Sequence, residues 1–299
     1  AIMAKKKEFK ITTTVEAFLG ALRSSFREKK PTIPILRHVL VDGTTVTGTD
    51  LDNHTIVPFA GNGEGKFTLP VKQAENILKG ETGPLTIKFV PITEGSTSGS
   101  GWAHLEFGGC TFKLPTMSTA NWPGTPVVAA TALKTDGKSF KQAIERTRFA
   151  ISDEESRYTL NGALLSCKDG LLRLIATDGH RMAIVRYPHK GNFECIIPCD
   201  TLDWLNVNLG ETVEFGRGVG KQDKTLTIKT DGKTILARET NGQFPSYEAV
   251  RRAKYNHTAT IADPKKVHSL LARVAKCSDE RSGCVRFRFD ADLTISAES

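Results

Sequence analysis

Three segments of the chain share one helical pattern of hydrophobic positions. In each, four apolar or small residues fall at i, i+3, i+4 and i+7, a spacing that places them on one face of an α-helix. The positions are Val15, Phe18, Leu19 and Leu22 in the first segment, Phe140, Ala143, Ile144 and Thr147 in the second, and Val267, Leu270, Leu271 and Val274 in the third. The pattern predicts three amphipathic helices, each with one face in a core.

Two extended apolar runs follow each of the first two helices. The first copy has residues 34–41 and 45–49 around the turn signal Asp42-Gly43, and the second has residues 158–165 and 171–177 around Asp169-Gly170. Short apolar runs joined by such turn residues predict antiparallel strand pairs. We therefore expect a repeated unit of one helix followed by paired strands.

The unit ends each time in a small residue and a carboxylate. The three endings are Val46-Thr-Gly-Thr-Asp50, Leu174-Ile-Ala-Thr-Asp178 and Leu293-Thr-Ile-Ser-Ala-Glu298. Their spacing of about 125 residues is that of a domain. The pattern therefore predicts a triplication in which only the first half of the third copy precedes Ser299. A carboxylate at equivalent points of every copy favours a structural role in a turn or cap.

A shorter echo lies inside the first two copies. Residues 67–70 and 195–198 both predict a strand that closes in proline, and each precedes a short amphipathic helix, at residues 73–79 and 201–205. Further paired strands are expected at residues 85–90, 102–107 and on to 114 in one copy, and at 213–215, 226–229 and 235–238 in the other. The predicted fold class is α+β, with domains at 3–128 and 129–255, each of two helix-plus-antiparallel-sheet halves, and the first half of a third at 256–299.

The composition indicates a soluble protein of several domains, with 39% hydrophobic and 25% charged residues in 299. No apolar run is of membrane-spanning length, and residues 1–10 lack a signal-peptide pattern, so we expect a cytoplasmic location. The six cysteines are scattered, which suits reduced thiols. Cys195 and Cys199 lack the second ligand pair of a metal site, so neither a metal nor a cofactor is predicted.

The net charge of +8 and the pI of 9.2 favour an acidic partner, of which nucleic acid is the commonest. Basic residues accompany all three helices. They are Arg23, Arg27, Lys29 and Lys30 in the first copy, Lys138, Lys141, Arg146 and Arg148 in the second, and Lys265, Lys266, Arg273 and Lys276 in the third. No base-reading motif is present, so contacts would be with phosphates. For a single helix, an ordinary solvated face is the alternative interpretation.

Several distinctive segments show a family resemblance. They are Pro31-Thr-Ile-Pro-Ile-Leu36 with Thr47-Gly-Thr-Asp-Leu51, Arg157-Tyr-Thr-Leu-Asn-Gly162, Ala176-Thr-Asp-Gly-His-Arg181 and Phe244-Pro-Ser-Tyr247. The chain resembles the bacterial sliding clamp, the β subunit of DNA polymerase III. The resemblance implies a homodimeric ring of three similar domains per subunit, with helices facing a central hole and sheets outside. It implies a processivity factor that encircles duplex DNA without sequence specificity, associated with the nucleoid.

The resemblance implies that Tyr158 lies near DNA together with the DNA-facing helices. It also implies two further contact surfaces. One is a pocket for short linear motifs of the replicative polymerase catalytic subunit, the clamp loader, and repair or translesion polymerases. Its wall would be Leu160, Thr177, Gly179, His180, Arg181, Met182, Pro245 and Val250. The other is the dimer interface, with Phe112 and Leu114 on the first-domain side and Lys276 and Cys277 on the third-domain side. Core packing is the alternative for Phe112 and Leu114. Ala249 departs from the family, which often has a basic residue there.

Three alternatives remain open at the level of sequence. Asp178 and His180 have the residue types of a catalytic pair, but no nucleophile motif or phosphate-cradling loop accompanies them, so a non-catalytic protein is expected. A diverged clamp paralogue could act as a DNA-binding adaptor without closing a ring, because Lys276 and Cys277 replace an aliphatic pair. The third copy either continues for about 70 to 80 residues, by the repeat period, or is naturally short.

Overall fold

The structure is a computed structural model that describes residues 9–25, 32–92, 100–218, 225–250, 258, 260–278, 284–289 and 293–297. The chain forms two compact units, Ala1–Phe244 and Pro245–Ser299. The basic residues Arg27, Lys29 and Lys30, and the third-copy carboxylate Glu298, lie outside the described residues.

The first copy of the repeat begins with a strand and not, as predicted, with its helix. Its elements in chain order are β1 (Phe9–Thr14), α1 (Val15–Ser24), β2 (His38–Asp42), β3 (Thr45–Thr49), β4 (Asn53–Pro58), β5 (Gly61–Gly63), β6 (Lys66–Pro70), α2 (Val71–Leu78), β7 (Pro84–Pro91), β8 (Gly101–Phe107) and β9 (Cys110–Pro115). The Thr14 hydroxyl accepts the backbone N–H of Ala17 and caps α1. β1 therefore leads directly into the helix.

The second copy follows the same order. Its elements are β10 (Leu133–Asp136), α3 (Gly137–Thr147), β11 (Gly162–Lys168), β12 (Leu171–Thr177), β13 (Met182–Pro188), β14 (Phe193–Pro198), α4 (Cys199–Asn208), β15 (Thr212–Arg217), β16 (Thr225–Thr230) and β17 (Lys233–Arg238). Asp136 caps α3 by accepting the backbone N–H of Ser139. The buried face of α3 contains Phe140, Ala143, Ile144 and Thr147, as predicted.

The strands of the first unit form three antiparallel sheets. Their orders are β5-β1-β7-β8-β9, β10-β15-β16-β17-β4-β3-β2-β6, and β13-β12-β11-β14. The eight-stranded sheet joins strands of both copies, because β4 pairs with β17 in the register Ile235↔Thr55 and Leu236↔His54. One sheet thus runs continuously from the first repeat copy into the second.

Two hydrophobic cores lie within the first unit. One draws its buried side chains from residues 11–114 and includes Phe18, Phe67 and Phe89. The other draws them from residues 133–237 and includes Phe140 and Phe215, whose rings meet edge to face. Each copy therefore buries its own helix stripes and strands, while the division at residues 128 and 129 stays a prediction.

Two of the predicted strands begin with a 3₁₀ helix. Residues 34–37 form the 3₁₀ helix Pro34–Arg37, and Glu155–Leu160 forms another ahead of β11. Proline at the first position favours a helical start because its φ is already fixed near the required value. The predicted strands at 34–41 and 158–165 were therefore correct only in their second halves. Further 3₁₀ turns are Thr119–Asn121 and Arg148–Ala150.

The second unit contains the third copy of the helix. Its elements are α5 (Tyr247–Val250), α6 (Pro264–Val274), a 3₁₀ turn at Ala275–Cys277, β18 (Arg286–Phe289) and β19 (Leu293–Ser296). β18 and β19 pair antiparallel, and α6 is capped by Asp263, which accepts the backbone N–H of Lys266. The predicted stripe of α6 is only half-buried within the described residues.

Candidate functional sites

The turn between β12 and β13, residues 177–182, contains most of the predicted pocket. The hydroxyl of Thr177 donates to the carbonyl of Arg181 at 2.7 Å and accepts the backbone N–H of Gly179 at 3.1 Å. These two bonds close the turn on itself, so its shape is set by local hydrogen bonding. We call residues 177–181 the second Thr-Asp turn.

Asp178 anchors this turn through its carboxylate. Oδ1 accepts the backbone N–H groups of His180 and Arg181, both at 2.9 Å, and Oδ2 accepts Nε of Arg181 at 2.9 Å. The backbone bonds come first among the causes that lower the pKa of Asp178 to about 2, with the guanidinium of Arg181 as a further cause. The carboxylate thus orders the turn and fixes Arg181, which is a structural role.

Arg157 closes the turn from the neighbouring 3₁₀ helix. Its Nη1 donates to the carbonyl of Asp178 at 3.1 Å, and its Nε lies 2.7 Å from the carboxylate of Glu154. Gly179 has φ +90°, and a Cβ added there would lie 2.8 Å from Nη1 of Arg157. The positive φ favours glycine at this position, and a Cβ there would also displace the guanidinium of Arg157.

The first repeat copy contains the same turn at residues 49–53. Thr49 donates to the carbonyl of Asn53 at 2.8 Å and accepts the N–H of Leu51 at 3.0 Å, and Asp50 accepts the N–H of Asn53 at 2.7 Å. Leu51 has φ +85° where the second copy has Gly179. We call residues 49–53 the first Thr-Asp turn. This shared geometry supports the predicted structural role of Asp50 and Asp178.

The surroundings of the first turn are those of a closed joint between the two copies. Oδ1 of Asn53 accepts the hydroxyl of Thr201 at 3.1 Å, and the carboxylate of Asp52 lies 3.3 Å from Arg238. β4, which follows the turn, is covered by β17. Nε1 of Trp204 on α4 donates to the carbonyl of Ser24 at 2.9 Å. The first turn therefore serves to hold two cores together.

The second turn, by contrast, faces outward within the first unit. β13 is an edge strand of its sheet, and the side chain of Arg181 is 61% exposed. The guanidinium of Arg181 lies 5.6 Å from the ring centre of Phe149, whose side chain is itself 57% exposed. Sequence reasoning missed Phe149 and Arg157 as neighbours of the turn, because both approach it from a 3₁₀ segment that no periodicity marks.

The predicted pocket residues divide between the two units. Leu160 is buried and Met182 half-buried in the first unit, whereas Thr177 and Gly179 belong to the turn and His180 is exposed. Pro245 and Val250 are exposed residues of the second unit, so their part in the pocket stays a prediction. The first unit alone brings six of the predicted wall residues to one strand end and its adjoining 3₁₀ helix.

The basic helix residues lie mostly in solvent. Arg23 on α1 and Lys138, Lys141 and Arg146 on α3 are exposed, and so are Lys265, Lys266 and Arg273 on α6 in the second unit. Tyr158 is 59% exposed. Arg148 differs, because its Nε and Nη2 donate to the two carboxylate oxygens of Asp203 at 2.7 and 3.1 Å, which raises its pKa. Among the predicted DNA-contacting residues that the structure describes, Arg148 is thus held by a bidentate carboxylate contact and is not free to reach a phosphate.

The proposed interface residues differ in burial. Leu114 is buried in the first core, and Phe112 is half-buried and stacks on Phe107 with ring centres 5.2 Å apart. Core packing, the alternative drawn from the sequence, thus accounts for much of both. Lys276 and Cys277 are exposed in the second unit. β9, the strand of Phe112 and Leu114, is an edge of its sheet.

Neither thiol of the Cys195 and Cys199 pair has the environment of a metal ligand. Cys195 is buried, and burial raises the pKa of Cys199 to about 11, which favours a protonated thiol. Among the described residues, no group of three His, Cys, Asp or Glu side chains is placed to hold a metal ion. In the same part of the chain, no helix is long and apolar enough to cross a membrane.

Comparisons with known proteins agree on one family. Residues 134–246 match the model of the DNA polymerase III beta subunit, central domain. The beta sliding clamp of Chlamydia pneumoniae is 28% identical over 89% of this chain and 73% of the relative, and that of Caulobacter vibrioides is 29% identical over 93% and 77%. A solved beta sliding clamp of C. crescentus is 26% identical, with a TM-score of 0.81 over 97% of this chain and 80% of the other. The solved DNA polymerase III subunit beta of Pseudomonas aeruginosa is 25% identical, with a TM-score of 0.79 over 97% of this chain and 80% of the other.

Proposed function

Because the chain belongs to the beta sliding clamp family, we propose that it is a processivity factor that surrounds duplex DNA in the nucleoid and tethers a DNA polymerase to it. Such a protein needs a surface that attracts phosphates without reading bases, and a separate surface that accepts its partners. Features of the described residues support both surfaces.

The exposed cationic residues of α1 and α3 support this function most directly. Both helices bury their apolar stripe in a core and leave Arg23, Lys138, Lys141 and Arg146 in solvent. Lysine and arginine side chains at such positions exchange phosphate contacts rapidly and carry no sequence preference. A duplex held in this way is free to slide, and retention comes from enclosure by a ring.

Salt dependence tests the phosphate surface. Replacing Lys138, Lys141 and Arg146 by alanine should lower the slope of log K against log salt for a duplex by about 2 to 3. A matched variant with Lys10, Lys66 and Lys190 replaced removes the same charge outside the helices, and its slope should stay close to that of the unchanged chain. Equal slopes in the two variants would contradict a specific role of the helices.

The second surface is the outward-facing end of β12 and β13. Leu160 and Met182 supply apolar contacts, while Thr177 and the turn backbone supply hydrogen-bonding groups. This mixture suits a short peptide with aliphatic or aromatic anchors, which we propose comes from the replicative polymerase catalytic subunit, the clamp loader, and repair or translesion polymerases. Pro245 and Val250 are expected to add to it.

A ten-residue peptide with leucine and phenylalanine anchors tests this surface by fluorescence anisotropy. Met182→Ala should weaken binding about tenfold, because anchor pockets concentrate the binding energy in few residues. Val207 is an 82% exposed apolar residue on α4, and Val207→Ala serves as the matched control with unchanged affinity. A loss shared by both variants would point to general hydrophobic adsorption.

We propose further that the chain is not an enzyme. The carboxylate of Asp178 is engaged by two backbone N–H groups and by Arg181, so it is committed to the turn. Ring closure between copies of the chain is supported best at β9, the edge strand with Phe112 and Leu114. Lys276 and Cys277 are the counterpart that the family resemblance implies.

A further inference from the structure

The outer face of the five-stranded sheet contains one row of basic side chains. The strands β1, β7, β8 and β9 bury alternate residues in the first core, so the residues between them face away from it. Among these outward residues, four lie directly opposite one another from strand to strand. They are Lys10, Lys88, His104 and Lys113. We call these four residues the basic row.

Neighbouring cations in the basic row repel one another. Lys10 lies directly opposite Lys88, and like charges in such pairs destabilise a sheet. Glu106 offsets part of this repulsion, because its Oε1 lies 2.8 Å from Nζ of Lys88. Glu64 is exposed beside Lys10, whose carbonyl accepts its backbone N–H. The stability of the sheet therefore does not explain the row, and an anionic partner would relieve the repulsion that remains.

The same row of the second repeat copy is neutral. Thr14, which caps α1, lies opposite Pro84 as Asp136, which caps α3, lies opposite Thr212, and these pairs align the two sheets. Counting from them, the row of the second copy is Ala132, Gly216, Thr227 and Leu236. The fold thus forms with small or neutral residues at these positions, so it does not require the basic ones.

In the second copy, the chain itself covers this row. The backbone N–H of Ala129 donates to the hydroxyl of Thr227 at 2.9 Å, and a Cβ on Gly216 would collide with the carbonyl of Ala130. Thr227 and Gly216 are buried as a result. Residues 129–132 therefore cross β16 and β15 before they lead into β10. The molecule thus shows how an extended peptide segment lies along this row, across the strands.

We propose that the basic row binds an extended acidic segment of a partner protein, which crosses β8, β7 and β1 as residues 129–132 cross β16, β15 and β10. Charge decides the kind of segment. Residues 5–7, which correspond in sequence to residues 127–129, are three lysines, so the chain that leads into β1 is itself basic and suits an acidic partner. The surface is separate from the peptide surface at β12 and β13, which belong to another sheet.

The dimensions of the row set the length of the segment. Four adjacent strands about 4.8 Å apart span roughly 14 Å, which about five residues of an extended chain cover. Alternate side chains of such a segment point the same way, so two or three carboxylates face Lys10, His104 and Lys113. Trp102 is half-buried beside the row, with Nζ of Lys113 4.2 Å from its ring centre. The indole therefore holds Lys113 in place and offers an apolar contact to a flanking aliphatic residue.

Fluorescence anisotropy with a labelled peptide of alternating glutamate and alanine, about ten residues long, tests the row. Lys10→Gln together with Lys113→Gln should weaken binding roughly fivefold, because two solvent-exposed ion pairs are lost. Lys72→Gln together with Lys79→Gln removes the same charge from exposed positions at α2 and should leave the affinity nearly unchanged. Equal losses in the two double variants, or no binding to the unchanged chain at about 1 mM, would overturn the proposal.

Reversal of charge tests direct contact with the row. Lys10→Glu together with Lys113→Glu should abolish binding of the glutamate peptide and allow binding of a matching peptide of alternating lysine and alanine, because the attraction between opposite charges is restored. Thermal unfolding of this variant shows whether the sheet is intact. A folded variant that binds neither peptide would mean that the substitutions act without contact between row and peptide, and would overturn the proposal.

Competition separates this surface from the surfaces proposed above. The leucine–phenylalanine peptide, at saturation, should leave the affinity for the glutamate peptide unchanged, and competition between the two would overturn the proposal. A labelled single strand of DNA of about ten nucleotides distinguishes the class of partner. If it binds more tightly than the glutamate peptide and loses affinity in the Lys10 and Lys113 double variant, nucleic acid is the partner and the proposal is wrong.

Discussion

The two Thr-Asp turns are nearly identical in hydrogen bonding and opposite in surroundings. Both close through a threonine hydroxyl that donates four residues ahead and a carboxylate that accepts a backbone N–H three residues ahead. The first is covered by β17 and α4, while the second lies at a sheet edge. A duplicated turn has therefore kept its local structure where its neighbours changed, so local geometry alone does not reveal its use.

The pKa values of the two turn carboxylates, Asp50 and Asp178, differ because their environments differ. Burial is the largest cause acting on Asp50 and raises its pKa, against the hydrogen bonds from Asn53. At Asp178 the backbone hydrogen bonds outweigh burial and lower the pKa to about 2. The covered environment thus opposes ionisation of Asp50, whereas the hydrogen bonds of the open turn favour ionisation of Asp178.

The largest expected difference in stability is between substitutions on β17 and on β9. Leu236, the fourth residue of β17, is fully buried in the β4–β17 joint, whereas Lys113, the fourth residue of β9 in the first copy, is exposed. Leu236→Ala should cost about 2 to 5 kcal/mol in the free energy of unfolding, whereas Lys113→Ala should change it by less than about 0.5 kcal/mol. Urea titration at a concentration where the chain is monomeric measures both. Equal losses would mean that the two strands are covered alike.

A smaller difference is expected at the position of positive φ in each turn, where substitutions should change the free energy of unfolding in opposite directions. Gly179→Ala strains the backbone and crowds Arg157, so it should destabilise by about 1 to 3 kcal/mol. Leu51→Gly relieves the strain of φ +85° at the matched position and should be neutral or stabilising by about 0.5 kcal/mol. Thermal unfolding of the two variants compares them, and destabilisation of similar size in both would remove the equivalence of the turns.

The smallest contrast concerns pH. Because the pKa of Asp178 is lowered from 3.8 to about 2, its ionised form stabilises the fold above pH 4, and this contribution is lost as the pH falls towards 2. Asp178→Asn should therefore destabilise at pH 7, with a difference that shrinks over that acidic range. Asp50 has a raised pKa, so its ionisation costs stability at neutral pH and Asp50→Asn should be tolerated better. Unfolding at pH 7, 4 and 2.5 checks both, and the reverse order at pH 7 would contradict the assignment.

Much of the fold could be predicted because the spacing of hydrophobic residues and the turn residues are local signals. The stripes of α1 and α3 and the bounds of β3 and β12 follow from spacing and turn residues alone. The start of β2 could not, since Pro34 begins a 3₁₀ helix in a run that reads as extended. β1 and β10 escaped prediction because they are short and continue directly into a capped helix.

The joint between β4 and β17 lay beyond sequence reasoning for a different reason. Its partners are far apart in the chain, and only the folded sheet shows that they pair. The pocket residues of the turn could be named from the family resemblance, but the clamp of Arg157 on Asp178 and the ring of Phe149 beneath Arg181 depend on tertiary contacts. Residue types at a repeat position predict the turn and leave its environment undetermined.

Hydrogen exchange with and without the leucine–phenylalanine peptide tests most directly whether the two turns have the same structure and different uses. Saturating peptide should slow amide exchange at residues 177–183 and leave residues 49–55, already protected in the joint, unchanged. Protection that is absent from the second turn, or that appears only at the first, would contradict the assignment of the open turn as the partner-binding surface.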